Sequence, residues 1–338
     1  MKRTILKEIA NKLKESKTVL LYPHVVLDGD TLGSSIALCV ALRKLGKTAH
    51  ILIEDEIPSY LRFLDLNNDY CTYDQHIIDE PDLSIAIDCS DIKRLPLRRE
   101  KFLSGKSSIN LDHHKTNQLF ADINYIDEDA SATSEIIFNL VKLMDVKLDS
   151  EIAEGIYTAI ITDTGNFQYT NTTKTTHLIA AELFDIGIDM EKISIEIYQK
   201  VRIEQIKISG EIFGNMEMLF NGKANIAFVN QEMLKKTGAL MEETEGVIST
   251  LRNIIGVEIS AFLKEKHNNE IKVGLRSKTY GDVSVIAQKF GGGGHQKAAG
   301  CTLNTTIEEA KKLITAEIIA HLEEAEKRVK KTEKQYKI

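Results

Sequence analysis

At 338 residues, 43% hydrophobic and 28% charged, the chain has the make-up of an ordered globular protein with enough apolar side chains for two cores. Its net charge of -7 disfavours a protein that coats long duplex nucleic acid, because that affinity comes from neutralising phosphates with Lys and Arg. The opening MKRTILKEIANKLKESK is charged throughout and no uncharged apolar run nears about 20 residues, so neither a secretory leader nor a membrane contact is expected.

In chain order, Ile5, Ile9 and Leu13 mark a helix over residues 3–15, and 18-TVLLY-22 reads as a strand. A loop containing His24 precedes a helix expected from Leu32 to Leu45, stopped by Gly46. AHILIE (49–54), LSIAID (83–88) and SSINLD (107–112) read as further strands. Strands alternating with helical segments predict an α/β fold with a doubly wound, mainly parallel sheet. Three helices follow: SATSEIIFNLVKLM, SEIAEGIYTAIITD and residues 174–187. Residues 189–220 lack a wide apolar stripe and read as a helical connector. NIAFVN, VEISAFLKEK and IKVGLRSK then alternate with period two, as in a mixed sheet, with HNNE as a hairpin turn. A helix over 281–290, a glycine run at 291–294, a strand AAGCTL and a last helix from Thr306 complete the chain. The four cysteines, Cys39, Cys71, Cys89 and Cys301, are scattered without C-x-x-C spacing, which suits a reducing cytoplasm.

The chemistry concentrates where strands end. His24, Asp28 and Asp30 place one imidazole and two carboxylates within seven residues, a donor set that suits Mn²⁺ or Mg²⁺. The same Asp28-Gly29-Asp30 equally fits a tight turn and a helix N-cap. Asp88 ends another strand, Asp112-His113-His114 a third, and Asp163 closes a helix before a Thr-Gly turn. Each has an ordinary structural reading alone, as a loop acid, a core histidine or a helix end. Ligands of open parallel sheets bind beyond the carboxyl ends of the strands, so these residues are expected to converge on one rim. In IKVGLRSK the apolar Ile271, Val273 and Leu275 share one face, which turns Arg276 to the other, where it can grip a phosphate. Gly291 to Gly294 can offer backbone N–H groups to an anion with His295 beside them, or serve as a flexible connection. Phe167 and Tyr169 admit base stacking or plain packing.

In this order, His24-x-x-x-Asp28-x-Asp30, the strand end at Asp88, Asp112-His113-His114 and Thr162-Asp163-Thr164-Gly165 resemble the four motifs of the DHH phosphoesterase family. The GGGGH string ending at His295, followed by Ala298-Ala299-Gly300, resembles the DHHA1 domain that partners it. Size and layout are most similar to the bacterial bifunctional oligoribonucleases (nanoRNases) that also dephosphorylate 3'-phosphoadenosine 5'-phosphate. The resemblance implies a catalytic domain over 1–188, the helical connector over 189–220 and a smaller α/β domain with a mixed sheet over 221–338. It further implies two Mn²⁺ per chain, with Mg²⁺ as a substitute. His24, Asp28 and Asp88 would hold one, and Asp30, Asp88, His113 and Asp163 the other. Asp88 would bridge them, Asp112 would orient a histidine, and His114 would face the substrate phosphate. Arg276, Gly293, Gly294 and His295 would bind substrate.

The expected activity is hydrolysis of short RNA or DNA oligonucleotides, and removal of the 3'-phosphate of 3'-phosphoadenosine 5'-phosphate, by water activated between two metals. The chain would act in the cytoplasm, and a homodimer is compatible with the sequence. The nearest rival is hydrolysis of cyclic di-AMP or of linear dinucleotides. An inorganic pyrophosphatase shares the metal motifs but would demand several cations in the second domain, and a noncatalytic nucleotide-binding module would have shed a ligand.

Overall fold

The computed structural model describes residues 2–64, 70–72, 78–266 and 269–335. They divide into two compact units, 1–200 and 201–338. The first contains α1 (Lys2–Glu15), β1 (Thr18–Pro23), α2 (Gly29–Lys44), β2 (Thr48–Ile53), β3 (Tyr70–Thr72), β4 (Leu83–Ile87), α3 (Arg99–Leu103), β5 (Ser108–Asp112) and β6 (Ile123–Ile126). Helices α4 (Thr133–Leu143), α5 (Ser150–Asp163), α6 (Lys174–Ile186) and α7 (Met190–Ser194) follow. The expected strands are present, and short β3 and β6 extend the sheet at its two edges. The order is β3-β2-β1-β4-β5-β6 with every pairing parallel.

Alternation along the strands buries both faces, as a parallel sheet requires. Val19, Leu21, Ile85, Ile87, Ile109 and Leu111 join the core beneath α1, α2, α4 and α5. Leu20, Tyr22 and Ala86 point the other way, against Leu95 and Phe102. Chain order reverses between β1 and β4, and such a reversal opens a crevice at the carboxyl edge.

Helix α2 starts at Gly29, three residues before the expected Leu32, because the Asp28 carboxylate accepts the Thr31 N–H at 3.0 Å and caps it. The string expected to bind metal thus also supplies the helix cap. Glycines let α2 and α5 approach at backbone distance. A Cβ on Gly33 would lie 2.4 Å from the Gly155 carbonyl oxygen, and one on Gly29 2.2 Å from Thr162 Oγ1.

Residues 189–220, read from sequence as one helical connector, are discontinuous. After α7 comes a π-helical turn, Ile195–Gln199, then an interruption, α8 (Ile203–Gly214) and β7 (Glu217–Leu219). Ile193 is buried in the first unit's core, whereas Ile208 and Ile212 are buried in the second's. The second unit continues with β8 (Ala224–Val229), α9 (Gln231–Thr237), α10 (Val247–Asn253), β9 (Ile259–Glu265), β10 (Glu270–Ser277), α11 (Val283–Gln288), β11 (Gly293–His295), β12 (Ala298–Asn304) and α12 (Ile307–Gln335). Its sheet runs β11-β12-β10-β9-β8-β7 and is mixed, with only β8 and β9 parallel. The HNNE turn lies partly outside the described residues. One face packs on α11 and α12 through Ile271, Val273 and Leu275, while α8, α9 and α10 cover β8 and β9 on the other. Among the described residues no helix is long and apolar enough to cross a membrane.

The turn after β10 is built around a buried acid. Glu258, 4% exposed, accepts the backbone N–H groups of Thr279, Tyr280 and Gly281 and the Thr279 hydroxyl. Burial favours its neutral form, but those donors outweigh it and hold the carboxyl below its ordinary range.

Two stability measurements check these contacts. Helix propensity favours Gly33→Ala by about 1 kcal/mol; the close approach to Gly155 reverses the sign, and urea unfolding is expected to show a loss of about 1–3 kcal/mol. Glu258→Gln is expected to cost about 1–2 kcal/mol at neutral pH. A depressed folded-state pKa gives stability that is fully present above the unfolded value of 4.5 and is lost as pH falls through the lower folded-state value, so the gap between wild type and Glu258→Gln should close on acidification.

Candidate metal centre

Neighbouring strands β1, β4 and β5 deliver His24, Asp88 and Asp112-His113-His114 to one edge of the sheet. The N-terminus of α2 adds Asp28 and Asp30, and the C-terminus of α5 adds Asp163. His24 Nε2 lies 3.4 Å from Asp28 Oδ2 and 3.3 Å from Asp88 Oδ2. His113 Nε2 lies 3.6 Å from Asp88 Oδ1, 3.6 Å from Asp163 Oδ2 and 3.8 Å from Asp30 Oδ2. Asp88 therefore turns one oxygen to each imidazole. Ligand atoms of His24, Asp28 and Asp88, of Asp30, His113 and Asp163, and of Asp88, His113 and His114 form three groups, each within 4.8 Å.

Both imidazoles are aimed by their far nitrogens. Nδ1 of His24 meets the Val25 carbonyl at 2.8 Å, and Nδ1 of His113 the Ala130 carbonyl at 3.1 Å. Since a carbonyl only accepts, Nδ1 carries a proton and Nε2 is the atom that faces the acids, the orientation of a metal-binding histidine. The N–O spacings are long for hydrogen bonds and suit two ligands of one cation with bonds of about 2.1 Å. The donor set therefore fits divalent metal.

Electrostatics agree. Burial, then the charges of Asp88, Asp163 and Asp28, raise Asp30 well above the carboxylate range. Burial also pushes Asp163 up to about 6, with His113 opposing and Asp88 adding to the rise. Burial would lower His24, yet Asp28 and Asp88 outweigh it and carry it up to about 9. The cluster is short of positive charge.

Local structure holds these acids in place. Asp30, 1% exposed, accepts the Thr133 and Ser134 N–H groups at 2.7 and 3.1 Å, so it caps α4, whose own N-cap residue is Ala132. Asp88 sits at φ +59°, a conformation rare outside glycine that marks functional sites. Its N–H donates to the Leu111 carbonyl, and Thr133 Oγ1 donates to its Oδ1 at 2.9 Å. The side-chain amides of Asn110 and Asn117 both donate to the carbonyl of Cys89, next in the chain.

Asp112 stands apart from the cluster. Fully buried, it accepts the His113 and His114 N–H groups, the His114 Nδ1 proton at 2.7 Å and the Asn117 amide. Burial opposes its charge, but these donors hold it below its ordinary range. It orients the His114 ring, which leaves His114 Nε2 without a hydrogen bond among the described residues. Thr133, Asn110 and Asn117 escaped the sequence reading; a Thr in the SATS start of α4 was the one available signal.

Phe167 stacks on His177 at 5.1 Å and packs on the core, so it serves packing rather than base stacking. Gly165 makes room for the Tyr169 ring, 2.4 Å from where its Cβ would stand, instead of for a ligand. In the second unit, Arg276 lies on the face opposite Leu275, as its period predicts, with Ala298 as cross-strand partner; Ala298 in turn pairs with His295. Arg276 and His295 thus share a face and a row. The glycine run is neither a free N–H nest nor a loose connection. The N–H groups of Gly291 and Gly292 donate to the carbonyls of Gln288 and Ala287, and Gly293 and Gly294 are in β11.

Asp163 is the one cluster acid at a helix C-terminus, where the helix dipole opposes negative charge. Asp163→Asn is expected to raise the stability of the chelator-treated protein by about 0.5–1 kcal/mol above neutral pH, and to shrink the thermal shift on adding Mn²⁺. Loss of stability in chelator would contradict the repulsion.

Comparison with known proteins closes the question of family. Residues 18–160 match the DHH family, N-terminal domain, and residues 222–324 match the DHHA1 domain. A bifunctional oligoribonuclease and PAP phosphatase NrnA of Thermus thermophilus is 31% identical over 84% of both chains. A probable bifunctional oligoribonuclease and PAP phosphatase NrnA of Streptococcus mutans is 31% identical over 90% of this chain and 96% of its own. The crystal structure of an exopolyphosphatase-related protein from Bacteroides fragilis superposes with a TM-score of 0.87 at 27% identity, covering 93% of this chain and 95% of that one. The chain belongs to the DHH phosphoesterase family, hydrolases of phosphoester bonds, and carries the DHHA1 domain after its catalytic one.

Proposed function

We propose that this protein is an Mn²⁺-dependent enzyme that hydrolyses short oligonucleotides to mononucleotides and removes the 3'-phosphate of 3'-phosphoadenosine 5'-phosphate in the cytoplasm. The observation that carries the reading is Asp88, whose two oxygens address His24 and His113 separately. His24, Asp28 and Asp88 would hold one ion, and Asp30, Asp88, His113 and Asp163 the second, with Mg²⁺ as a substitute. Such a pair of ions supplies Lewis acidity and a water of lowered pKa.

The remaining roles belong to side chains. His114, its Nδ1 held by Asp112, turns Nε2 to a phosphate oxygen, so Asp112 acts by positioning that ring. Asp88 and His114 are the residues most directly tied to the reacting phosphoryl group, 3.4 Å apart through Oδ1 and Nδ1. Arg276 offers a planar fork for a terminal phosphate, with His295 in the same row and Gly293 and Gly294 giving backbone access. The names of the Thermus thermophilus and Streptococcus mutans relatives agree with both substrates.

Purified protein incubated with Mn²⁺ is expected to release product from a diribonucleotide and from 3'-phosphoadenosine 5'-phosphate at least tenfold faster than from cyclic di-AMP or pyrophosphate, about 1.4 kcal/mol in barrier. A reversed order assigns a cyclic dinucleotide or pyrophosphate instead. Asp88→Asn should abolish turnover and keep the folded circular dichroism spectrum; an unchanged Mn²⁺-dependent rate would remove Asp88 from its bridging role.

A further inference from the structure

Arg276 does not exhaust the cations on its sheet face. Four residues back along β10, Lys272 projects from the same face, about 14 Å away. It stands directly opposite Lys264 of β9 on one side and Thr302 of β12 on the other. Like charges directly opposite in an antiparallel pair destabilise the sheet. Lys264 is relieved by Glu245 at 2.6 Å, but no ion pair joins Lys272 to an acid among the described residues. Glu270, two residues further, is the acid on this face of β10.

Between the two cationic rows runs a floor without side chains. Gly274, Gly300 and Gly293 are cross-strand partners on β10, β12 and β11; Ile248 of α10 lies over Gly274, so a ligand reaches bare backbone at Gly300 and Gly293. Beside the Lys272 row is a groove of about 500 Å³ whose lining includes Lys264, Lys272, Gly274, Phe290, Gly300 and Thr302. That volume is in the range of small-molecule sites and suits a nucleotide. In a chain of net charge -7, a lysine without an acid partner beside a glycine strip marks a place where an anion supplies the missing charge.

We propose that Lys272, Lys264 and Thr302 form a phosphate subsite for the internal nucleotides of an oligonucleotide whose terminal phosphate lies at Arg276 and His295. This rests on the oligonucleotide reading and deepens it. A dinucleotide or 3'-phosphoadenosine 5'-phosphate is too short to reach Lys272, whereas a chain of four nucleotides spans the floor. The second unit would thereby favour longer members of the short-RNA class without touching the chemistry.

The test is fluorescence anisotropy of labelled diribonucleotide and tetraribonucleotide in EDTA, with wild type, Lys272→Ala and the exposed control Lys312→Ala, followed by Mn²⁺-dependent hydrolysis of both. Lys272→Ala is expected to weaken tetranucleotide binding about five- to tenfold, leave the dinucleotide within about twofold, and flatten the log–log salt slope for the tetranucleotide by about 0.7. Equal loss on both lengths, no loss on either, or an equal effect of Lys312→Ala overturns the subsite. A tetranucleotide bound through Lys272 but never cleaved sinks the proposed activity and leaves the subsite standing. Normal cleavage of both lengths with Lys272 irrelevant does the reverse.

Discussion

Crowding of carboxylates at the end of a parallel sheet is the constraint to which the first unit is fitted. Asp28, Asp30, Asp88 and Asp163 converge from two helix ends and one strand, and Asp30 and Asp88 are buried. Repulsion among them favours separation, and at Asp30 and Asp88 water is excluded from relieving it. The fold offsets this with backbone donors: Asp28 caps α2, Asp30 caps α4 across the chain, and the backbone around Asp88 is pinned by Leu111, Asn110 and Asn117. Asp163 has no such compensation from its helix, which points it against the dipole. An arrangement that costs stability this way and aims two imidazole Nε2 atoms into the same space is explained by cations.

Function in the first unit depends on packing far below the site. The distance between the Asp28–Asp30 string and Asp163 is set by α2 against α5, and that contact is set by Gly29, Gly33 and Gly155. A side chain at Gly33 would displace the acids of the cluster without touching them. The second unit solves a different problem, keeping a sheet face open. Helices α8 to α10 cover β8, β9 and the Gly274 stretch of β10, and the glycines of β12 and β11 leave the adjoining strip bare beside the cations of β10.

Much of this was legible in the sequence because parallel strands buried on both faces read as compact apolar runs, and each ends on an acid or histidine. LSIAID and SSINLD give β4 and β5 and their ligands directly. Strands β3 and β6, of three and four residues, are too short to show a period and are stabilised by pairing at the sheet edges. The start of α2 was misplaced because Asp-Gly pairs favour turns, while here the first Asp caps and Gly29 is needed inside the helix for contact with Thr162. Trans capping of α4 by Asp30 is a contact 103 residues apart, which no local pattern carries. Half of the glycine run is a strand because of cross-strand pairing with β12, which is invisible along the chain.

The central claim is that these acids and imidazoles hold a pair of divalent cations that share Asp88. Anomalous diffraction from crystals grown with Mn²⁺ tests it most directly. Two manganese peaks flanking the Asp88 carboxylate, one beside His24 and Asp28 and the other beside Asp30, His113 and Asp163, are the predicted result. A single peak, or manganese bound away from Asp88, would contradict it.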